Sequence, residues 1–294
     1  MILVAGATGY LGREICRRLI DQGEPEHGLV RATSDRTATR ELESMGGDLV
    51  LGDLRDRGSL DRACKGAAAV ISTANTIRSR QPGDSIEATD GEGQLDLVDA
   101  AHAAHVHRFI YVSHSEHIAS DDPLTVAKRS VERRIRESGM TYTVARPTCF
   151  MEVWLSPALG FDYANGTATI YGSGEHPVSW ISLADVAQFV VRALGDEQAE
   201  NQTIELGGPE ALSPLEVVRI FEQSSGRSFA VQHVPVEALR AQRDAATDSL
   251  QRTFATLMLG VAAGDDIPMQ DTLRTYGLRF MPVSEYARHA MSSS

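Results

Sequence analysis

The chain has 294 residues, of which 42% are hydrophobic and 23% charged, proportions that support a sizeable globular core. Twenty-eight lysines and arginines against 40 aspartates and glutamates leave a net charge of −12. That argues against a nucleic-acid or anionic-membrane partner, since both need a basic surface. Cys16, Cys64 and Cys149 have neither disulfide-framework nor metal-ligand spacing, and no apolar run approaches the ~20 residues of a membrane span. With a glycine motif too close to residue 1 to leave room for a signal peptide, this predicts a cytoplasmic protein.

The apolar run Ile2 to Ala5 predicts a buried strand, and it leads into glycines spaced G-x-x-G-x-x-G at Gly6, Gly9 and Gly12. A helix over 10–22 comes next, with Leu11, Ile15 and Leu19 on one face. This order is that of a dinucleotide-phosphate cradle. Gly6 permits the tight turn, Gly9 lets a pyrophosphate approach the backbone, and Gly12 lets helix and strand pack closely. The helix N-terminus then offers free N–H groups to the anion.

A second strand closes at Leu29-Val30 and runs into Arg31. An acid at this point would bind the 2′-hydroxyl of NAD, whereas an arginine suits the 2′-phosphate of NADP, so NADP(H) is expected over NAD(H). Arg36 and Arg40 would reinforce that charge, and Glu24, Glu26 and Asp35 oppose it. A helix over 36–45 and a strand over 48–51 lead to Asp53-Leu54, which either frame the adenine or cap the next helix, 57–64. A strand over 67–72 ends in Thr73, Ala74 and Asn75. A long helix over 88–104, a strand over 108–113, a helix over 123–138 and a strand over 141–146 complete the series. Strands joined by helical crossovers predict an α/β fold, a doubly wound parallel Rossmann sheet. Residues 1–150 are assigned to this core. Residues 151–294 are expected to complete it at about 179–210 and otherwise to form a small C-terminal α+β substrate lobe, with a hairpin at Asn165-Gly166 and a helix start at Ser213-Pro214.

Ligands of such sheets bind at the carboxyl ends of strands, so Thr73 to Asn75, Val112, Ser113 and His114 should flank a nicotinamide. His114 either exchanges a proton near neutral pH or is an inert loop residue. Lys128 lies on the helix before the sixth strand. Short-chain reductases place a proton-donating tyrosine four residues ahead of such a lysine, and here that position is Leu124. Lys128 is then a candidate for holding the ribose or acting directly. Cys149 has no neighbour that obviously lowers its pKa. Met151, Trp154 and Phe161 either line an apolar substrate pocket or belong to a core. His102, His105, His107, His114 and His117 lack metal-ligand spacing, and no metal is expected.

Taken together, several segments resemble the NmrA-like group of atypical short-chain dehydrogenase/reductases. They are Gly6 to Gly12, Leu29-Val30-Arg31, Gly52-Asp53-Leu54, Val106 to Ser113, Lys128 with Glu132, Ser138 to Pro147, Ile181 to Ala187 and Ile204 to Pro209. The resemblance covers about residues 1–225. It implies a Rossmann core that binds NAD(P), with Gly6, Thr8, Gly9, Tyr10, Leu11, Arg31, Asp53, Thr73, Ser113, Lys128, Pro147, Thr148, Cys149 and Phe150 contacting the cofactor. It also implies either an NADPH-dependent reductase of an apolar, aromatic, quinone-like or conjugated small molecule, or a non-catalytic NADP(H) sensor or assembly partner. Leu124 speaks against tyrosine-driven carbonyl reduction. A homodimer is compatible with the sequence.

Overall fold

The computed structural model describes residues 1–77, 81–118 and 121–292. In chain order its first half runs β1 (Ile2–Ala5), α1 (Tyr10–Asp21), β2 (Glu26–Val30), α2 (Arg36–Ser44), β3 (Asp48–Leu51), α3 (Arg57–Cys64) and β4 (Ala69–Ser72). A π-helix (Ile86–Gly93) leads into α4 (Gln94–Ala103), followed by β5 (Arg108–Val112), α5 (Pro123–Glu137) and β6 (Thr141–Pro147). α6 (Met151–Trp154), β7 (Phe161–Asp162), β8 (Thr167–Tyr171), α7 (Leu183–Ala193) and β9 (Gln202–Leu206) come next. α8 (Pro214–Ser225), β10 (Ala230–Val234), α9 (Val236–Asp244), α10 (Ser249–Ala263), α11 (Gln270–Tyr276) and α12 (Val283–Ser292) close the chain.

Seven strands form the main sheet in the order β3-β2-β1-β4-β5-β6-β9, and the pairings from β3 through β6 are parallel. β1, β4 and β5 are buried along their whole length, as the continuous apolar runs of a strand covered on both faces require. The order reverses between β1 and β4, which is where open α/β sheets place their ligands. Two compact units emerge. The first comprises Met1–His114, Pro123–Arg146 and Val186–Ile204, and the second Ser115–Asp122, Pro147–Asp185 and the chain from Glu205 onward.

The helix expected over 88–104 is instead two segments, a π-helix from Ile86 to Gly93 and then α4. Gly91 and Gly93 weaken the α-helical preference there, and the wider π turn accommodates the backbone. A methyl at Gly93 would stand 2.9 Å from the Leu54 Cβ and carbonyl oxygen.

In the second unit, β7 and β8 form an antiparallel hairpin across Asn165-Gly166, with Gly166 at φ +67°. The Asp162 carboxylate fixes that turn by accepting from the Asn165 backbone N–H at 3.1 Å and its amide at 2.7 Å. β8 also pairs with β10, in parallel. Ser213 and Glu216 cap α8 reciprocally, with Pro214 in its first turn. No helix among the described residues is long and apolar enough to cross a membrane.

Candidate functional site

The glycine turn is built from backbone crossings. Gly6 sits at φ +86°, and a methyl on it would stand 2.7 Å from the Ala74 nitrogen and the Thr73 Oγ1. A methyl on Gly12 would lie 2.0 Å from the Gly6 carbonyl oxygen, so only glycine lets α1 pass over the turn. Gly9 is exposed and donates its N–H to the Gly6 carbonyl at 2.9 Å. α1 has no side-chain cap and no acidic residue in its first turn, which leaves its N-terminus suited to an anion. Thr8 is half-buried, Leu11 is buried in the core, and Tyr10 is exposed with the Arg13 guanidinium 5.5 Å from its ring centroid.

Arg31 follows β2 and is already engaged. Its Nη1 donates to both oxygens of Asp84 at 2.9 Å, and the Asp84 side chain is only 1% exposed. Arg55 lies 3.5 Å from the same carboxylate and pairs with Asp53 at 2.8 Å. The Arg55 hydrogen bonds outweigh partial burial and hold the Asp53 carboxyl below its usual range. Leu54 is a core residue, whereas Arg36 and Arg40 are exposed.

At the end of β4, the Thr73 hydroxyl donates to the Ala5 carbonyl at 3.3 Å, and Asn75 is exposed. Gln94 accepts from the Ser72 hydroxyl at 2.8 Å and donates to the Ala74 carbonyl at 2.9 Å. The Thr76 hydroxyl donates to Asp90 at 2.6 Å. At the end of β5, the Lys128 ammonium donates to the Val112 carbonyl at 3.2 Å and sits 5.2 Å from the Tyr111 ring centroid. Lys128 is 5% exposed. Burial lowers its pKa, Asp90 and Glu132 oppose that, and Arg129 adds to it.

Ser113 is tied into a charged hub. Its hydroxyl donates to Glu132 at 2.7 Å and accepts from Arg129 at 3.0 Å. Glu132 is fully buried, and it also pairs with Arg129, with Arg136 at 3.1 Å and with Arg146 at 2.6 Å. Burial pushes its carboxyl up, but the bonds from Arg146 and Ser113 and the charges of Arg129 and Arg146 prevail and bring it down to about 2. His114 is buried, with Nε2 3.1 Å from the Thr125 hydroxyl. Burial and then the charges of Lys128, Arg129 and Arg146 hold it well below its ordinary pKa. That lowered pKa favours the neutral imidazole at neutral pH. Leu124, where a tyrosine would stand, is buried.

Pro147 ends β6 and is buried, as is Thr148, while Cys149 and Phe150 are half-buried. Burial and the charge of Asp265 raise the Cys149 thiol far above its ordinary value, which disfavours the thiolate. Of the two alternatives the sequence leaves open, pocket wall or core, Met151 and Phe161 lie in the core of the second unit. Met151 is fully buried, and the Phe161 ring packs edge-on to Phe221 at 4.9 Å and against Phe229 at 5.8 Å. Trp154 remains half-buried, edge-on to Tyr171.

Three further features carry no sequence signal of their own. Asp90 reads as one more polar residue in a glycine-interrupted helix. Asp84 lies 53 residues from the arginine it pairs with. Asp265 gathers the Ser115 hydroxyl at 3.0 Å and the His117 Nδ1 at 2.5 Å. The Asp265 hydrogen bond raises the half-exposed His117, against a small opposing effect of burial.

A glycine turn after β1, on a sheet whose order reverses between β1 and β4, defines a Rossmann-type α/β protein. The NmrA-like family model matches residues 1–286, and the chain belongs to that family. It is 33% identical over 242 residues to the (4-alkanoyl-5-oxo-2,5-dihydrofuran-3-yl)methyl phosphate reductase of Streptomyces griseus, covering 82% of this chain and 79% of the relative. It is 29% identical over 245 residues to the photosystem II assembly factor Ycf39 of Trieres chinensis, covering 81% and 73%. The fold matches an NADPH-dependent quinone oxidoreductase from Escherichia coli complexed with NADPH, with a TM-score of 0.79 at 21% identity over 99% of this chain and 100% of the other.

Proposed function

We propose that this protein is an NADPH-dependent reductase that delivers hydride to an apolar, conjugated or quinone-like small molecule. The observation that carries the reading is the pairing, within one unit, of a glycine-only phosphate cradle with a buried lysine at the end of β5. The cradle fits a dinucleotide, because a side chain at Gly6 or Gly12 would collide with backbone. Gly6, Thr8, Gly9, Tyr10, Leu11 and Gly12 would hold the pyrophosphate, and Arg31, Asp53 and Leu54 the adenosine end. Thr73 to Asn75, Val112 and Ser113 would border the nicotinamide. When bound, the cofactor supplies the hydride. Lys128 holds the ribose or offers a proton from Nζ. His114, being neutral, orients through its hydrogen bond to Thr125 rather than acting as an imidazolium acid. Steady-state NADPH oxidation against a panel of quinones, enones, butenolides and azo dyes tests the proposal. Tight NADPH binding without turnover on any of them overturns it. Comparing NADPH and NADH affinity in wild type and Arg31→Ala tests the NADP preference, which requires the variant to lose more for NADPH.

The second reading, a non-catalytic NADP(H)-binding assembly or sensor protein, draws on Leu124 in place of a proton donor and on the kinship with an assembly factor. It requires a partner protein retained in pull-down, or unequal affinities for NADP and NADPH, in a protein without turnover.

A further inference from the structure

The π-helix carries a buried acid and packs against the helix that bears the buried lysine. Asp90 is 1% exposed, and its Oδ2 accepts from the Thr76 backbone N–H at 3.2 Å and from the Thr76 hydroxyl. Among the described residues its buried Oδ1 has no hydrogen-bond partner, and neither has the hydroxyl of neighbouring Thr89. The π-helix packs against α5, and a methyl at Gly91 would come to 4.0 Å from the Cβ of Ala127. That contact sets the residue after Asp90 against the residue before Lys128. An orphan carboxylate oxygen in such a place is costly unless a charge answers it.

We propose that Asp90 is the counter-charge that keeps the buried Lys128 protonated, a positioning residue that sets the proton occupancy of Nζ. Lys128 also faces Glu132 and Arg129 from its own helix, the Tyr111 ring from β5, and His114 from the loop after β5. Glu132 is already answered by three guanidiniums, so its charge is largely spent. Among the described residues, the donors to Asp90 are the two of Thr76, and Asp84 is another charged neighbour. Burial favours neutral forms of both Asp90 and Lys128, and each charge favours the other's ionised form. The significance for turnover rests on the reductase reading; the charge pairing itself does not.

The sequence makes the test direct, because Lys65 and Lys128 are its only lysines and Lys65 is exposed. Protein grown on lysine carbon-13-labelled at Cε gives two resonances, and Lys65→Arg assigns them. In wild type, Lys128 titrates below the ordinary lysine range and shows a second, smaller inflection at acid pH, where Asp90 takes up its proton. In Asp90→Asn, which keeps the size of the side chain, the Lys128 midpoint falls by about one pH unit, a tenfold loss of proton affinity. In the same variant the alkaline limb of the NADPH-oxidation pH profile moves down in step. An unmoved Lys128 midpoint in a folded Asp90→Asn protein overturns the proposal. If that variant fails to fold, the absence of the acid inflection in wild type overturns it equally. Absent turnover with a shifted lysine midpoint would sink the reductase reading and leave the pairing intact.

Discussion

Glu132 and Arg146 meet in a two-point ion pair, Nη2 to Oε2 at 2.6 Å and Nε to Oε1 at 3.1 Å, that ties α5 to β6. Fork-to-carboxylate geometry of this kind combines direction with charge, and Glu132 is fully buried within it.

Removing one side of this hub strands the rest. Glu132→Ala should destabilise the protein by about 3–5 kcal/mol in urea unfolding, because Arg146 and Arg129 lose their carboxylate. The folded-state pKa of Glu132, about 2, lies below its ordinary 4.5. Its contribution is therefore complete above about 4.5 and lost as pH falls through about 2. A variant as stable as wild type would contradict this account.

Glu26 has the opposite sign. Burial pushes its carboxyl up to about 7, with the hydrogen bond from the Cys16 thiol opposing and the Asp48 charge adding. Gly47 closes over it, since a methyl there would stand 2.6 Å from Oε1. The folded state holds the proton more tightly than the unfolded chain, so this contribution is full below about 4.5 and fades as pH rises through about 7. Glu26→Met should flatten the pH dependence of stability between pH 5 and 8 and gain about 2 kcal/mol at pH 8. Parallel melting curves for the two proteins across that range would refute it.

Two glycines of the turn should respond differently. Gly12→Ala forces a methyl to 2.0 Å from backbone and should cost at least about 3 kcal/mol or prevent folding. At Gly9 the methyl lies 3.1 Å from the Gly6 oxygen, on the exposed side of the turn. Gly9→Ala should melt near the wild-type temperature and lose at least about tenfold in NADPH affinity, a 1.4 kcal/mol effect. Thermal melts paired with NADPH fluorescence titration separate the cases.

The histidines should divide in solution. His117, bonded to Asp265, titrates above the ordinary value, and His114 stays neutral well below it. Nitrogen-15 imidazole NMR reads both, and Asp265→Asn should lower the His117 midpoint while leaving His114 in place. Equal midpoints in the wild-type protein would count against both assignments.

Much of the first unit is legible in the sequence because strand and helix periods differ. β3 and α3 fall on the expected residues, since Asp48 to Leu51 is bounded by glycines and Asp56 caps the helix after it. The π-helix is not legible. Its two glycines signal weak helix, yet nothing in a single chain says that the relief is a wider turn rather than a break. Arg31 stands out as a cation after β2, but the carboxylate answering it lies too far along the chain to be paired by pattern. Met151 and Phe161 are ambiguous for a different reason, since pocket walls and cores draw on the same apolar residues.

On the proposed reading, the bond between Arg31 and Asp84 would change what cofactor choice means in this chain. Gln81 is folded into the same clasp: it donates its amide to the Thr33 carbonyl at 2.9 Å and its backbone N–H to Asp84 at 2.9 Å. An incoming phosphate would meet a guanidinium that is already neutralised, so binding is an exchange of one anion for another rather than the filling of an empty claim. Selectivity would then track the difference between a divalent phosphate and a monovalent carboxylate. It should sharpen as the phosphate takes on its second charge near pH 6, and a ribose hydroxyl, which carries none, would leave the clasp closed.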